Sequence, residues 1–176
     1  LWTRSQAELK GGTPRAARYA MDQVRELRRA IGYDAEHVIN VALLAWTMVM
    51  WVWMYATRLP AMFAAGMKPD PEAPRGEQMA LLPARVRWKA DNYNHLMEQP
   101  TVFYAIAISL AVLSVDSTIS LGLAWTYVML RVAHSLVQAL ANRIEIRFLL
   151  FVLSNIPLFA LTCIAASAYL TRLAGA

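Results

Sequence analysis

The sequence predicts an all-α integral membrane protein: a four-helix bundle with an additional N-terminal amphipathic helix. Three observations carry this. The chain of 176 residues is 58% hydrophobic, too apolar for a soluble domain of that size. Four apolar runs, at 38–57, about 97–115, about 118–141 and 148–170, come close to the roughly 20 residues that cross a bilayer. The polar residues of three of these helices collect at one end of the bundle, where ionisable groups are costly unless they face a cavity or a partner. The resulting division is an N-terminal extension at 1–36 and a four-transmembrane-helix domain at 37–176.

In the extension, Gly11, Gly12, Thr13 and Pro14 make a turn. After it, Ala17, Met21, Val24, Leu27 and Ile31 recur at helical spacing opposite Arg18, Asp22, Arg25 and Arg29. This pattern suits an amphipathic helix lying along a membrane surface; a frayed tail or a helix docked on a partner protein fits it as well. The segment lacks the continuous apolar core of a signal peptide.

The first span carries Trp46, Trp51, Trp53 and Tyr55 toward its C-terminal half, the level of an interfacial aromatic belt, and Arg58 with Pro60 ends it. Pro60, Pro69, Pro71, Pro74 and Pro83 predict a mostly irregular loop over 59–83. The second helix opens with Arg87, Asp91, Asn94 and Glu98, spaced 4, 3 and 4 and therefore on one face. Glu98 lies deepest, and a carboxylate at that depth needs a proton or a cation. Arg131 on the third helix is a candidate partner, either within a binding site or as a pair that only fixes helix packing.

On the third helix Arg131, Ser135, Gln138 and Asn142 repeat the 4, 3, 4 spacing with His134 beside them. Scattered polar residues are ordinary interhelical glue, whereas two matching stripes favour a ligand cavity. Arg143 and Arg147 stand where the fourth helix begins, positions where arginine often anchors to headgroups. Cys163 lies in the apolar body of that helix and reads as a small buried apolar residue.

Several classes are excluded. One cysteine makes no internal disulfide, and no Cys/His cluster has metal-ligand spacing. The net charge of +5 comes from residues in the extension and beside helix ends, which suits lipid headgroups rather than nucleic acid. Lys and Arg divide evenly, eight on each side of the membrane; counting only those close to span ends favours the polar end as the cytoplasmic one.

The stretch 94–100, Asn-His-Leu-Met-Glu-Gln-Pro, followed by Phe103 and Tyr104, resembles the N-x-x-E-x-x-P signature of the membrane-associated proteins in eicosanoid and glutathione metabolism, the MAPEG family. The stretch 131–135, Arg-Val-Ala-His-Ser, with Arg143 and Arg147 after it, resembles that family's third-helix motif and the arginine opening its fourth helix. The likeness covers about 38–170 and is that of a bacterial-type member, which implies an inner-membrane location.

The resemblance implies a homotrimer of four-helix subunits that binds glutathione as co-substrate between neighbouring subunits near the cytoplasmic face. Asn94, Glu98, Arg131 and His134 would contact glutathione, with Gln138 where eicosanoid members often have tyrosine. Arg147 would be the catalytic residue that stabilises the thiolate, and Arg58 a loose counterpart of a basic residue reaching a neighbour's site. Two positions depart from the pattern. Ala90 stands where the family usually has an arginine, with Arg87 or Lys89 as possible substitutes, and Phe148 follows Arg147 where prostaglandin E synthase-like members have serine. The expected activity is a glutathione-dependent transferase or peroxidase acting on a lipophilic electrophile that enters from the lipid bilayer. Two other readings stay open: a non-catalytic structural or accessory subunit, and a haem-binding bundle using His95 and His134.

Overall fold

The computed structural model describes residues 14–68, 70–74, 76–115 and 117–175, with the backbone alone at 14–17, 21, 25 and 28–37. All regular structure among these residues is helical: α1 Pro14–Ala64, α2 Glu77–Ala80, α3 Ala84–Val112, α4 Thr118–Leu140 and α5 Ile144–Ala174. The turn expected at residues 11–14 falls mostly outside the described residues, as do the side chains of Ala17, Met21, Arg25, Arg29 and Ile31.

Local chemistry sets the helix ends. Ser114, at φ 54°, takes the left-handed position after α3. Its N–H bonds to the Ala111 carbonyl at 3.0 Å and that of Val115 to the Leu110 carbonyl at 3.1 Å, closing the last turn in a Schellman arrangement. Ser117 then caps α4, its hydroxyl accepting from the N–H groups of Ile119 and Ser120. Asn142, at φ 48°, ends α4, its N–H bonding to the Val137 carbonyl at 2.7 Å. Turns this short force α3, α4 and α5 to alternate in direction. The C-terminal part of α1, the start of α3, the end of α4 and the start of α5 therefore share one end of the bundle.

The core has two parts. Ile39 and Leu43 of α1 meet Phe103 and Leu110 of α3, Tyr127 of α4 and Leu161 of α5, with the Phe103 and Tyr127 rings stacked at 4.5 Å. Toward the polar end, Met50, Leu96 and Ala139 pack with Trp46 and Trp53. The outer surface is also apolar: Val41, Met48, Phe148, Phe159 and Leu170 are all exposed. Such a surface suits lipid rather than water.

The structure corrects several expectations. The extension is not a separate helix, because α1 runs unbroken through 51 residues, about 77 Å at 1.5 Å per residue. Nor does Pro60 end the first span. It lies inside α1, one turn before its end, and the carbonyl it leaves without a donor, that of Ala56 four residues back, belongs to an exposed residue. Glu77–Ala80 adds a helical turn within the loop expected to be irregular. Only Trp51 and Tyr55 form an outward aromatic pair, 5.1 Å apart, while Trp46 and Trp53 turn into the core. Cys163 is exposed on the outside of α5, not buried. Among the described residues two helices, Val38–Ala64 within α1 and Ile144–Ala174, are long and apolar enough to cross a membrane; the polar residues of α3 and α4 leave α3 and α4 below that standard.

Candidate functional site

The rotation of α3 sorts the expected site residues into two groups. Its buried side is Lys89, Asn92, Leu96, Pro100 and Phe103, which leaves Arg87, Asp91, Asn94 and Glu98 on the outer side. The outward stripe contributes Arg87, Asp91 and Asn94 to a cleft of about 430 Å3. Arg58 of α1 closes it from one side, and Met79 and Leu82 of the intervening segment from another. That segment is stapled by Gln78, whose Nε2 donates to the Lys68 carbonyl at 3.0 Å while its Oε1 accepts from the Asp70 N–H at 3.2 Å. Gly76, at φ 86°, supplies the left-handed residue from which α2 starts.

Ala90 also lines the cleft. Of its two neighbours, Arg87 reaches the cleft and Lys89 does not. The Lys89 ammonium turns inward, donating to the Arg85 carbonyl at 2.8 Å and lying 5.2 Å from the centre of the Trp53 ring. The cleft thus presents two guanidinium groups, one carboxylate and one amide.

The second group lies inside, on α4, where Arg131, His134, Ser135 and Gln138 are all buried. The Ser135 hydroxyl accepts from Trp46 Nε1 at 3.0 Å and from Asn92 Nδ2 at 2.6 Å, joining α1, α3 and α4 at one atom. His134 Nε2 donates to Gln138 Oε1 at 3.1 Å. Arg131 Nε donates to the Tyr127 hydroxyl at 3.2 Å, and its guanidinium lies 5.7 Å from the centre of that ring and 5.6 Å from that of Phe151. Asn92 and Trp46 were not among the expected site residues. Asn92 differs from its neighbour Asn94 only in facing inward, a distinction that needs the rotation of the helix.

Glu98 and Arg131 do not pair. Glu98 is 69% exposed at the side chain and accepts from His95 Nδ1 at 3.2 Å, while the arginine is held by aromatic rings. The cause is again the rotation of α3, which points residue 98 away from α4. His95 and His134 lie side by side with ring centroids 6.2 Å apart and edge to face. Their bonds run to Glu98 and Gln138. Among the described residues no group of three or more His, Cys, Asp or Glu could hold a metal ion.

In the first turn of α5, Arg147 is half-buried and donates through Nη1 to the Asn142 side chain. Asn142 is therefore the turn residue and the arginine's acceptor rather than a further member of the interior stripe. Arg143 stands at the N-cap of α5 and is exposed. Neither arginine lines the cleft.

Residues 37–167 match the family model described as MAPEG family. Comparison with curated proteins and with solved structures gives no match. Together with the two helices long enough to cross a bilayer, the family match points to an integral membrane protein. The matched span holds the motif at 94–100 on α3, the motif at 131–135 on α4 and Arg147 on α5, and the chain belongs to the MAPEG family.

Proposed function

We propose that the protein is a glutathione-dependent membrane transferase or peroxidase acting on a hydrophobic electrophile, built as a homotrimer of four-helix subunits. The observation that carries this is the charge pattern of the cleft. Arg58 and Arg87 match the two carboxylates of glutathione, and Asp91 matches its ammonium group. A volume of about 430 Å3 lies within the range of small-molecule pockets. Asn94 adds an amide, and Glu98 with His95 borders the same outward face of α3.

The cleft opens outward and lacks Arg147, so this reading places the reacting sulfur between subunits, where a second copy covers the face of α3. A thiol with a pKa of about 8.5 is mostly protonated at neutral pH, and a guanidinium beside it favours the thiolate. Arginine suits the task because it stays charged when partly desolvated. The thiolate then attacks a lipophilic co-substrate arriving through the bilayer. At an electrophilic carbon it forms a thioether as the leaving group departs. At a peroxide oxygen it breaks the O–O bond to release an alcohol and a glutathione sulfenate, which a second glutathione reduces to the disulfide and water. In this reading the polar end faces the cytoplasm from the bacterial inner membrane, and His134, Gln138 and Arg131 stay inside the subunit, behind α3 and outside the cleft lining.

A second reading, a non-catalytic accessory subunit, is favoured by Ala90 in the cleft wall and by Arg147 being tied to Asn142. Calorimetric titration with glutathione and with S-methylglutathione, alongside a conjugation assay with a general electrophile, separates the two. The enzyme reading expects both ligands to bind, and Arg147→Ala to lower conjugation at least tenfold while leaving the melting temperature nearly unchanged. Equal turnover by wild type and Arg147→Ala would falsify the catalytic assignment.

A further inference from the structure

At the end of the bundle away from the cleft, α1, α3, α4 and α5 line a small, partly open cavity of about 10 Å3. Its wall is apolar, including Phe103, Leu110 and Leu161, except where Asn40 of α1 and Ser120 of α4 enter it. Ser120 is only 2% exposed. Asn40 Oδ1 and Ser120 Oγ are both buried, and neither has a hydrogen-bond partner among the described residues. A polar atom stranded in apolar surroundings is costly, and two of them at one cavity call for a shared partner. The space decides what that partner is. A cavity needs roughly 10–15 Å3 to hold one water, and a buried water needs two or more polar contacts.

We propose that a single buried water bridges Asn40 and Ser120, donating to Asn40 Oδ1 and exchanging a second hydrogen bond with Ser120 Oγ. The bridge ties α1 to α4 near the point where the long N-terminal part of α1 leaves the bundle. The surrounding contacts, Ile39 and Leu43 against Phe103 and Tyr127, are apolar and tolerate small slides of one helix along another. The water does not tolerate them, because sliding α1 by a turn strands both polar atoms. It therefore sets the register between the two helices.

A structure of the full chain in lipid nanodiscs, at a resolution that shows other ordered waters, tests this directly. The expected result is a density peak within hydrogen-bond distance of both Asn40 Oδ1 and Ser120 Oγ. A direct Asn40–Ser120 hydrogen bond, or no density between them, overturns the proposal. Thermal unfolding of Asn40→Leu, Ser120→Ala and the double variant gives an independent check. A shared water makes the losses sub-additive, so the double variant should melt no lower than the worse single one. Additive losses, or single variants that melt like wild type, overturn it.

Discussion

Replacing Ser135 by alanine removes the one acceptor that Trp46 and Asn92 share. The Asn92 side chain is 1% exposed, so its Nδ2 donor, now 2.6 Å from Ser135 Oγ, would be left without a partner or water. The Trp46 N–H, at 3.0 Å, is half-buried and would lose less. Interhelical hydrogen bonds in membranes average about 0.6 kcal/mol each, so the two bonds alone contribute about 1.2 kcal/mol. A fully stranded donor costs about 1–3 kcal/mol, and Asn92 meets that condition. The expected loss is therefore about 1–3 kcal/mol, read as a shift in equilibrium unfolding during SDS titration in mixed micelles. Ser109→Ala is the control, since the exposed Ser109 hydroxyl only donates to its own helix at Ala105; it should stay within about 0.5 kcal/mol of wild type. Adding Asn92→Ala to Ser135→Ala should cost less than the sum of the two, because they share one bond. If Ser135→Ala unfolds with the control, the hydroxyl does not hold three helices together, and the inward placement of Asn92 is wrong.

Other outcomes follow from the same geometry. Glu98→Gln should cost less than about 1 kcal/mol in the same titration, because an exposed pair with His95 is worth little; a loss several times larger would mean that Glu98 is buried after all. Arg131→Met should keep more stability than Arg131→Ala, since a long unbranched chain still packs between Tyr127 and Phe151 without a buried charge; the reverse order would show that the charge itself has an unseen partner. Arg58→Ala and Arg87→Ala should each weaken glutathione binding by about tenfold, or about 1.4 kcal/mol, whereas Lys89→Met should not; calorimetry in which Lys89→Met is the damaging change would move the ligand to the other face of α3. Native mass spectrometry in detergent should show trimers, and monomers alone would remove the shared-site reading.

Much of the helical frame was legible in the chain. The apolar runs foretold the four long helices, and the helix expected at about 118–141 is found at Thr118–Leu140, where Ser117 and Asn142 act as local signals through the adjacent backbone. The 4, 3, 4 stripe on α4 also placed Arg131, Ser135 and Gln138 on one buried side, since periodicity alone fixes which residues share a face. What periodicity leaves open is which face turns inward. On α3 two stripes compete. The one chosen from its charges, through Arg87, Asp91, Asn94 and Glu98, proved to be the outer one, while the less conspicuous Lys89, Asn92 and Leu96 make the core.

That difference separates what the sequence by itself determined from what only the tertiary structure decided. Spacing along the chain specified the four apolar runs, the residues that share a helix face and the end of the bundle where polar groups gather. Contacts between helices decided that Glu98 meets His95 and not Arg131, that Lys89 lies against Trp53, and that Asn92 and Trp46 converge on Ser135. Each of these pairings depends on the rotation of a helix about its own axis, and at 3.6 residues per turn a step of one position swings a side chain by about 100°. No residue encodes that rotation alone. It follows from packing α1, α3, α4 and α5 together, where the bulk of Phe103, Tyr127 and Leu161 outweighs the preference of any single charge.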